Sequence, residues 1–544
     1  MARPRGGGGG PFSVLGDVRG FSRDFPMDSM PPGFLWDICD FILNRHGRRL
    51  AYRSGYVSLG TAFSTPPTGG LHAAFSAGPK LIVESGGTLY DVASDGSRSA
   101  IPGGTPGFGL LQNGTLLTNR AYFCNKTPGA SVPWYATWNG SAWTSGPIHS
   151  SAPKGSVAIT YKNHLVVSGA GDQTVYFSPT EASGTAPNLG PLSPWDMPNP
   201  PTSLGATIGV SNTVRGMAAM SSQILVFHDG SIERIRGTLP PGTLVTNSDM
   251  FVDVLSEHIG CPNPASICHW LENVVWADPN GVQMTDGASV RCLTDQGGLH
   301  SFWFDLYKNM RPGAQVHADV FQDQLVVFVP TTIQVSDTER EDYPTILVCD
   351  LNNRTWSRFS NVYPSCLIPT VVGTSDIAWF GDGYTGGNSS VTPGPLKLSY
   401  ISPLFNPQSS KDPNQTISLL QQYDGDGDAV LPHLETGWTR LGGDVPKQFV
   451  NLYCSHIIQV DHTVALTTPV LQMAFIVEPL TAYMDGDPTM SIVPGNAYTR
   501  DRFDLNDSGY GAKVVLDAIA AVGVGEIFDI QVDITTIKDL GSLR

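Results

Sequence analysis

Ala74-Phe75-Ser76-Ala77-Gly78-Pro79-Lys80-Leu81-Ile82-Val83 decides the reading of this chain, because variants of it return three times. They are Ala158-Ile159-Thr160-Tyr161-Lys162-Asn163-His164-Leu165-Val166-Val167, Ala218-Ala219-Met220-Ser221-Ser222-Gln223-Ile224-Leu225-Val226-Phe227 and Ala318-Asp319-Val320-Phe321-Gln322-Asp323-Gln324-Leu325-Val326-Val327. In each copy an alanine stands seven positions before a leucine, with polar residues between them, and the leucine belongs to an apolar, β-branched run. The pattern is strand, tight turn, strand, with a second arm apolar enough to be covered on both faces. The copies begin at 74, 158, 218 and 318. Those spacings are near one or two lengths of a four-stranded propeller blade, roughly 40 to 50 residues.

Three weaker hairpins fill the gaps, at 116–123, 273–278 and 376–382, and the count predicts an all-β propeller of six to eight blades over 59–393. A pair of β-sandwiches or a β-solenoid is the alternative, since the spacing is irregular. Turns of the form Asp-Gly-small at 94–97, 228–231 and 285–288 suit hairpins, where Gly accepts positive φ. Trp138-Asn139-Gly140-Ser141-Ala142-Trp143 and Asp350-Leu351-Asn352-Asn353-Arg354-Thr355-Trp356 resemble the outer hairpins of kelch-type blades.

Outside this region, 1–58 reads as a flexible Gly-rich arm followed by a basic turn, with one short helix or extended piece suggested by Leu35, Ile38, Phe41 and Ile42. Residues 394–544 carry longer β-runs without the hairpin repeat and read as a sandwich-like, channel-lining or ring-closing region. The 60 glycines and 42 prolines punctuate short apolar runs, as in all-β proteins.

The balance of 32 Lys and Arg against 48 Asp and Glu, net −16, argues against a surface that grips nucleic acid. A lumen through which DNA only slides is a different case, because neutral or acidic walls would not hold it. The concentrated basic patch is Arg45, Arg48, Arg49 and Arg53 with His46, read as a solvated turn or a contact for an acidic neighbouring subunit. Eight cysteines without CxxC pairs read as free buried thiols of a protein folded in a reducing cytoplasm. The N-terminus lacks the apolar core of a signal peptide, and no run of about 18 apolar residues predicts a membrane span.

Candidate chemistry is sparse. Asp424, Asp426, Asp428 and Glu435 match positions 1, 3, 5 and 12 of a calcium loop, yet Ala429 stands where that loop needs Gly and Pro432 occupies position 9. An inter-strand turn is the competing reading, and no cofactor is expected. His228, His269 and His456 read as core or strand residues, and Glu339, Glu341 and Asp342 as a solvated loop. Trp134, Tyr135, Trp138 and Trp143 suit either a blade core or a sugar-stacking platform. No nucleophile elbow, phosphate loop or zinc helix occurs, so a non-enzymatic role is expected.

The segment Asn44-Arg45-His46-Gly47-Arg48-Arg49-Leu50-Ala51-Tyr52-Arg53-Ser54-Gly55-Tyr56 resembles the start of tail proteins of tailed bacteriophages that continue into a β-propeller. Glu435-Thr436-Gly437-Trp438-Thr439-Arg440-Leu441-Gly442 with Pro446-Lys447-Gln448-Phe449 is similar to a segment near their end. The family resembled is the nozzle, or tail tubular, proteins of short-tailed phages. The resemblance implies a virion-tail ring of six copies below portal and adaptor, with DNA passing through the centre. Blades would then hold tail fibres, a central β-region would line the channel, and no residue would be catalytic. A minor tail or baseplate protein, or a propeller that binds or cleaves host glycan, are the other readings.

Overall fold

The computed structural model describes most of residues 12–536, leaving out chiefly 179–206, 238–248, 383–395, 402–432, 437–446, 460–470 and 480–488, shorter loop stretches, and the termini 1–11 and 537–544. The copy at 318 opens a larger sheet, while the repeated hairpins at 74, 158 and 218 each become the first two strands of a four-stranded antiparallel sheet. Five such sheets are self-contained blades of four consecutive strands. The first is Pro67–Phe75, Gly78–Ser85, Thr88–Val92 and Arg98–Ala100. The second is Thr115–Leu117, Arg120–Phe123, Trp134–Trp138 and Trp143–Pro147, and the third is Val157–Tyr161, His164–Ser168, Thr174–Phe177 and Thr207–Gly209. The fourth is Gly216–Ala219, Gln223–Phe227, Ile232–Arg236 and Phe251–Ser256. The fifth is Cys268–Trp270, Asn273–Asp278, Gly281–Thr285 and Val290–Cys292.

That number differs from the six to eight expected, because the last two hairpins build sheets of another kind. His317–Phe321, Gln324–Val329, Thr345–Asp350 and Thr355–Phe359 form one arm of a 15-stranded sheet. Pro364–Val372, Ser375–Asp382 and Leu396–Ile401 take their fourth strand, Tyr56–Phe63, from near the N-terminus. A strand borrowed across the sequence covers an edge that a purely sequential sheet would leave open.

The apolar second strands explain the packing. In His164–Ser168 all five residues are buried, and Leu165 and Val167 meet the second blade while Val166 meets the fourth. Both faces are dry, so the run is continuous rather than alternating. Each buried aliphatic side chain contributes roughly 1.5–3 kcal/mol. The last joint returns to the start, with Cys366, Ile368 and Trp379 packed on Leu81, Val83 and Val92.

Register varies within the repeat. Ala158 pairs with Val167 and Ala318 with Val327, but Ala218 pairs with Leu225 and Ala74 with Pro79. The third copy is thus slipped by one residue toward its turn and the first by two. A one-residue slip exchanges faces, and Ala158 and Ala318 indeed pack toward the preceding sheet while Ala218 packs on Trp276 of the following one. Ala74 is exposed.

Residues 34–44 correct the helical option: they are two strands, Phe34–Cys39 and Phe41–Asn44, separated by Asp40 at φ 59°. The first pairs with His433–Thr436, whose Leu434 lies opposite Ile38, and cross-strand burial on both sides overrides the helical spacing. The long C-terminal strands Lys447–Gln459, Gly495–Ala518 and Val524–Thr536 lie in the same 15-stranded sheet as Phe12–Leu15, Phe34–Cys39 and Arg49–Tyr52. Strands from both ends of the sequence therefore share one sheet. The strand that completes a propeller sheet is the N-terminal Tyr56–Phe63, while these C-terminal strands extend away from it.

Two contacts fasten the N-terminal stretch. Arg358 reaches Asp37 through both Nε (2.8 Å) and Nη2 (2.7 Å), with Arg23 at 3.6 Å. Asp24 caps the helix His300–Lys308 from outside, accepting from the backbone N–H groups of His300 and Ser301 at 2.8 Å each.

Candidate functional site

The outer hairpin of the second blade places Trp138 and Trp143 opposite one another, their rings 5.3 Å apart and tilted 48°. The turn is fixed by Asn139, whose Oδ1 accepts from the backbone of Ser141 and Ala142. Both rings face the first blade. Phe75 meets Trp143 edge to face, and Lys80 sets its Nζ 4.2 Å from the centre of the Trp138 ring. Lys80 also donates to Asp91 Oδ2 (2.7 Å), which accepts from Trp143 Nε1 (3.0 Å) as well. Strand alternation explains the grouping: Lys80 and Ile82 share one face of their strand, and Asp91 lies opposite Ile82 on the next. The aromatics flagged in the sequence thus fall into two groups. Trp134 is buried, whereas Trp138 and Trp143 are half-buried at the seam between two blades. Lys80 and Asp91 carried no local signal, being held to these rings only by the fold.

A cleft of about 490 Å³ where the linker 211–213 meets the fourth blade is lined by Ser211, Thr213, His228, Asp229, Glu233 and Glu257 among others. His228 and Glu233 look like a catalytic pair. Their geometry argues otherwise, since His228 Nδ1 faces Thr213 O (3.0 Å) and Nε2 faces Glu233 Oε2 (3.2 Å). With both ring nitrogens committed, none is left to take a proton from a nucleophile. Glu233 also accepts from Ser211 N. The pair ties the linker between blades to the fourth blade, in keeping with the core reading of His228.

His269 is an exposed residue of the strand Cys268–Trp270. On the inner strand His317–Phe321, burial lowers His317 to about 4 and pushes Asp319 up to about 7, against a stabilising hydrogen bond from Val320 N. His317 and Asp319 alternate with Ala318 and point to the same side of the strand.

Of the calcium-loop candidates, Asp424, Asp426 and Asp428 lie outside the described residues. Glu435 is a strand residue paired with Lys513 Nζ at 2.7 Å, a partner that competes with any metal. Of the basic patch, Arg45, Arg48 and Arg53 lie outside the described residues. The backbone of Arg49 pairs with Asn44 in a hairpin. His456 lies on a long strand. Glu341 and Asp342 belong to a short strand, not to a loop, and Glu339 is outside the described residues. All eight cysteines are free, and all but the half-buried Cys292 are buried; burial pushes the Cys261 thiol up to about 12. Among the described residues no helix is long and apolar enough to cross a membrane, and no group of three His, Cys, Asp or Glu is placed to hold a metal.

No family model matches the sequence, and no curated protein does. Solved structures do. Kluyveromyces lactis Hsv2 shares 12% identity over 62% of this chain and 98% of its own, with a TM-score of 0.28. A PQQ-bound aldose sugar dehydrogenase from Streptomyces coelicolor shares 14% over 64% and 98%, at 0.30. Apo AztD from Citrobacter koseri shares 10% over 58% and 80%, at 0.32. Likeness at these scores assigns no activity to the chain.

Proposed function

We propose that the chain is a structural component of a bacteriophage tail, the nozzle ring below portal and adaptor through which DNA leaves and to which fibres attach. The observation that supports this reading best is the mounting of the propeller. The outer strand Thr355–Phe359 runs beside Phe34–Cys39, clamped by Asp37 and Arg358, and so continues into a sheet containing the 24-residue strand Gly495–Ala518. A strand of that length spans roughly 80 Å, more than a blade needs. In this reading the five blades, with the two sheets that follow them, are the body that holds the fibres. The large sheet is the sandwich-like, channel-lining part, and six copies set it around the tail axis. The body works as an inert scaffold, with no catalytic role assigned.

DNA would pass between copies, not through the propeller. The segment 110–113 bonds to the first blade through Thr68 and Gly70 and to the fourth through Met217, spanning the middle of the blades. Negative-stain imaging of the purified full chain tests the reading. Closed rings of one symmetry are expected, and dispersed monomers at micromolar concentration would overturn it.

A further inference from the structure

A second cleft of about 490 Å³ opens where the N-terminal stretch meets the turn between Thr345–Asp350 and Thr355–Phe359, walled by Val18, Arg19, Phe34, Gln296, Asn353 and Arg354 among others. Strand direction explains why these residues meet. Gly20–Phe21 runs parallel to Phe34–Cys39, which in turn runs parallel to Thr355–Phe359, so Arg19, Phe34 and Arg354 stand where three strands of one direction begin. Gly20 lies against Thr355, since a Cβ on it would fall 3.4 Å from Thr355 Cα. Arg19 and Arg354, each one residue earlier, are brought together by that contact.

Positive charge is left uncompensated there, in a chain of net −16. Arg19 is exposed and has no hydrogen-bond or ion-pair partner among the described residues. The guanidinium of Arg354, also exposed, donates through Nη1 to Gln296 Oε1 at 2.9 Å, which leaves Gln296 Nε2 as a further donor. The carboxylates on the same elements are committed elsewhere: Asp37 to Arg358 and Arg23, Asp295 to His300, and Asp350 to Asn352 and Asn353. Among the described residues no Asp or Glu borders the cleft. Two guanidiniums on one space repel each other, and an anion between them reverses the sign of that interaction.

Charge and shape narrow the ligand class. A phosphate monoester brings close to two negative charges and three acceptor oxygens, which suit the planar forks of two arginines, whereas a carboxylate brings one charge. The volume falls in the range of small-molecule sites, roughly 300–1,000 Å³, and leaves space beyond the headgroup. Half-buried Phe34 and buried Val18 give that space an apolar wall.

We propose that this cleft binds a small phosphate monoester, its headgroup accepting from Arg19, Arg354 and Gln296 Nε2 and its organic body lying against Phe34 and Val18.

The test titrates the full-length protein with phenyl phosphate and AMP, followed by calorimetry and phosphorus NMR, with inorganic phosphate, benzoate and phenol as controls. Phenyl phosphate and AMP distinguish a phosphate on a simple ring from one on a nucleoside, and at least one should bind saturably with Kd on the order of 0.1–1 mM. The controls, each lacking the organic body, the second charge or the anion, should bind at least about fivefold more weakly. Binding should weaken below about pH 6, where the headgroup takes up a proton. Arg19→Gln and Arg354→Gln should each weaken it at least about fivefold, and together abolish it, at unchanged melting temperature because both side chains are exposed. Absence of saturable binding by both monoesters, benzoate or inorganic phosphate binding as tightly as they do, or binding unaltered in the double variant would overturn the proposal. Each of these results leaves ring formation untouched, and failure to form rings leaves phosphate binding untouched.

Discussion

Gln112 and Met217 exchange a pair of hydrogen bonds across the middle of the propeller: Gln112 Nε2 donates to Met217 O at 2.7 Å, and Met217 N donates to Gln112 Oε1 at 3.2 Å. The side-chain amide acts as one more residue of an inner strand, although 105 residues separate the two. Gly216 beside it has no room for a Cβ, which would meet Ile267 Cδ1 at 2.4 Å and Pro264 Cβ at 3.1 Å. Together these contacts tie the linker after the first blade to the inner strand of the fourth.

Replacing Gln112 by Ala should therefore cost more than a surface substitution. Two bonds are lost and buried backbone groups of Met217 go unpaired, about 1–3 kcal/mol. Chemical denaturation should show a lower midpoint at unchanged slope, whereas Asn212→Ala on the exposed linker should move it little.

The Asp37–Arg358 clamp should be stronger. Burial pushes the Asp37 carboxyl up, but the hydrogen bonds and charge of Arg358, with Arg23, hold it below the ordinary carboxylate range. Arg358→Met strands a buried charge and should cost about 3–5 kcal/mol at pH 7. Because the folded pKa is depressed, the clamp's stability is present above the unfolded value and is lost as pH falls through the folded one. The gap between wild type and Asp37→Asn should therefore shrink below pH 4.

Asp319 has the opposite sign. Its folded pKa, up at about 7 from 3.8, lets the folded state hold a proton that the unfolded chain releases. Stability from this group is full below pH 4 and lost as pH rises toward 7. His317, down at about 4 from 6.5, works the other way between those values and masks much of the trend there. Asp319→Asn should consequently stabilise the protein at pH 8, raising the melting temperature by several degrees, and do little at pH 4. A melting series for wild type, Asp319→Asn and His317→Gln separates the two groups. Equal shifts at both pH values would contradict the assignment.

The borrowed strand Tyr56–Phe63 should act as a latch. Phe63 is 2% exposed, packs edge to face on Tyr90 and lies under Arg98 at 4.1 Å. Phe63→Ala removes these contacts at the joint between the last propeller sheet and the first, at about 3–5 kcal/mol. Amide exchange should rise first in Ser375–Asp382 and Thr88–Val92, the strands on either side of the joint.

The sequence by itself determined that this protein is built from hairpins whose second strands are covered on both faces. Runs such as His164–Ser168 and Gln324–Val329 say so without any partner in view, because a short apolar run rich in valine and preceded by turn residues suits a strand buried on both faces. The paired tryptophans of the outer turn were legible for the same local reason. Only the tertiary structure decided register, so that Ala218 faces the opposite neighbour from Ala158. It also decided that strands from both ends of the chain share a sheet, and that Lys80 and Asp91 meet Trp143. Side-chain alternation is a local rule, but which strand lies beside which is settled by burial summed over the whole molecule. Contacts such as Asp37 with Arg358, 321 residues apart, leave no trace in spacing or composition.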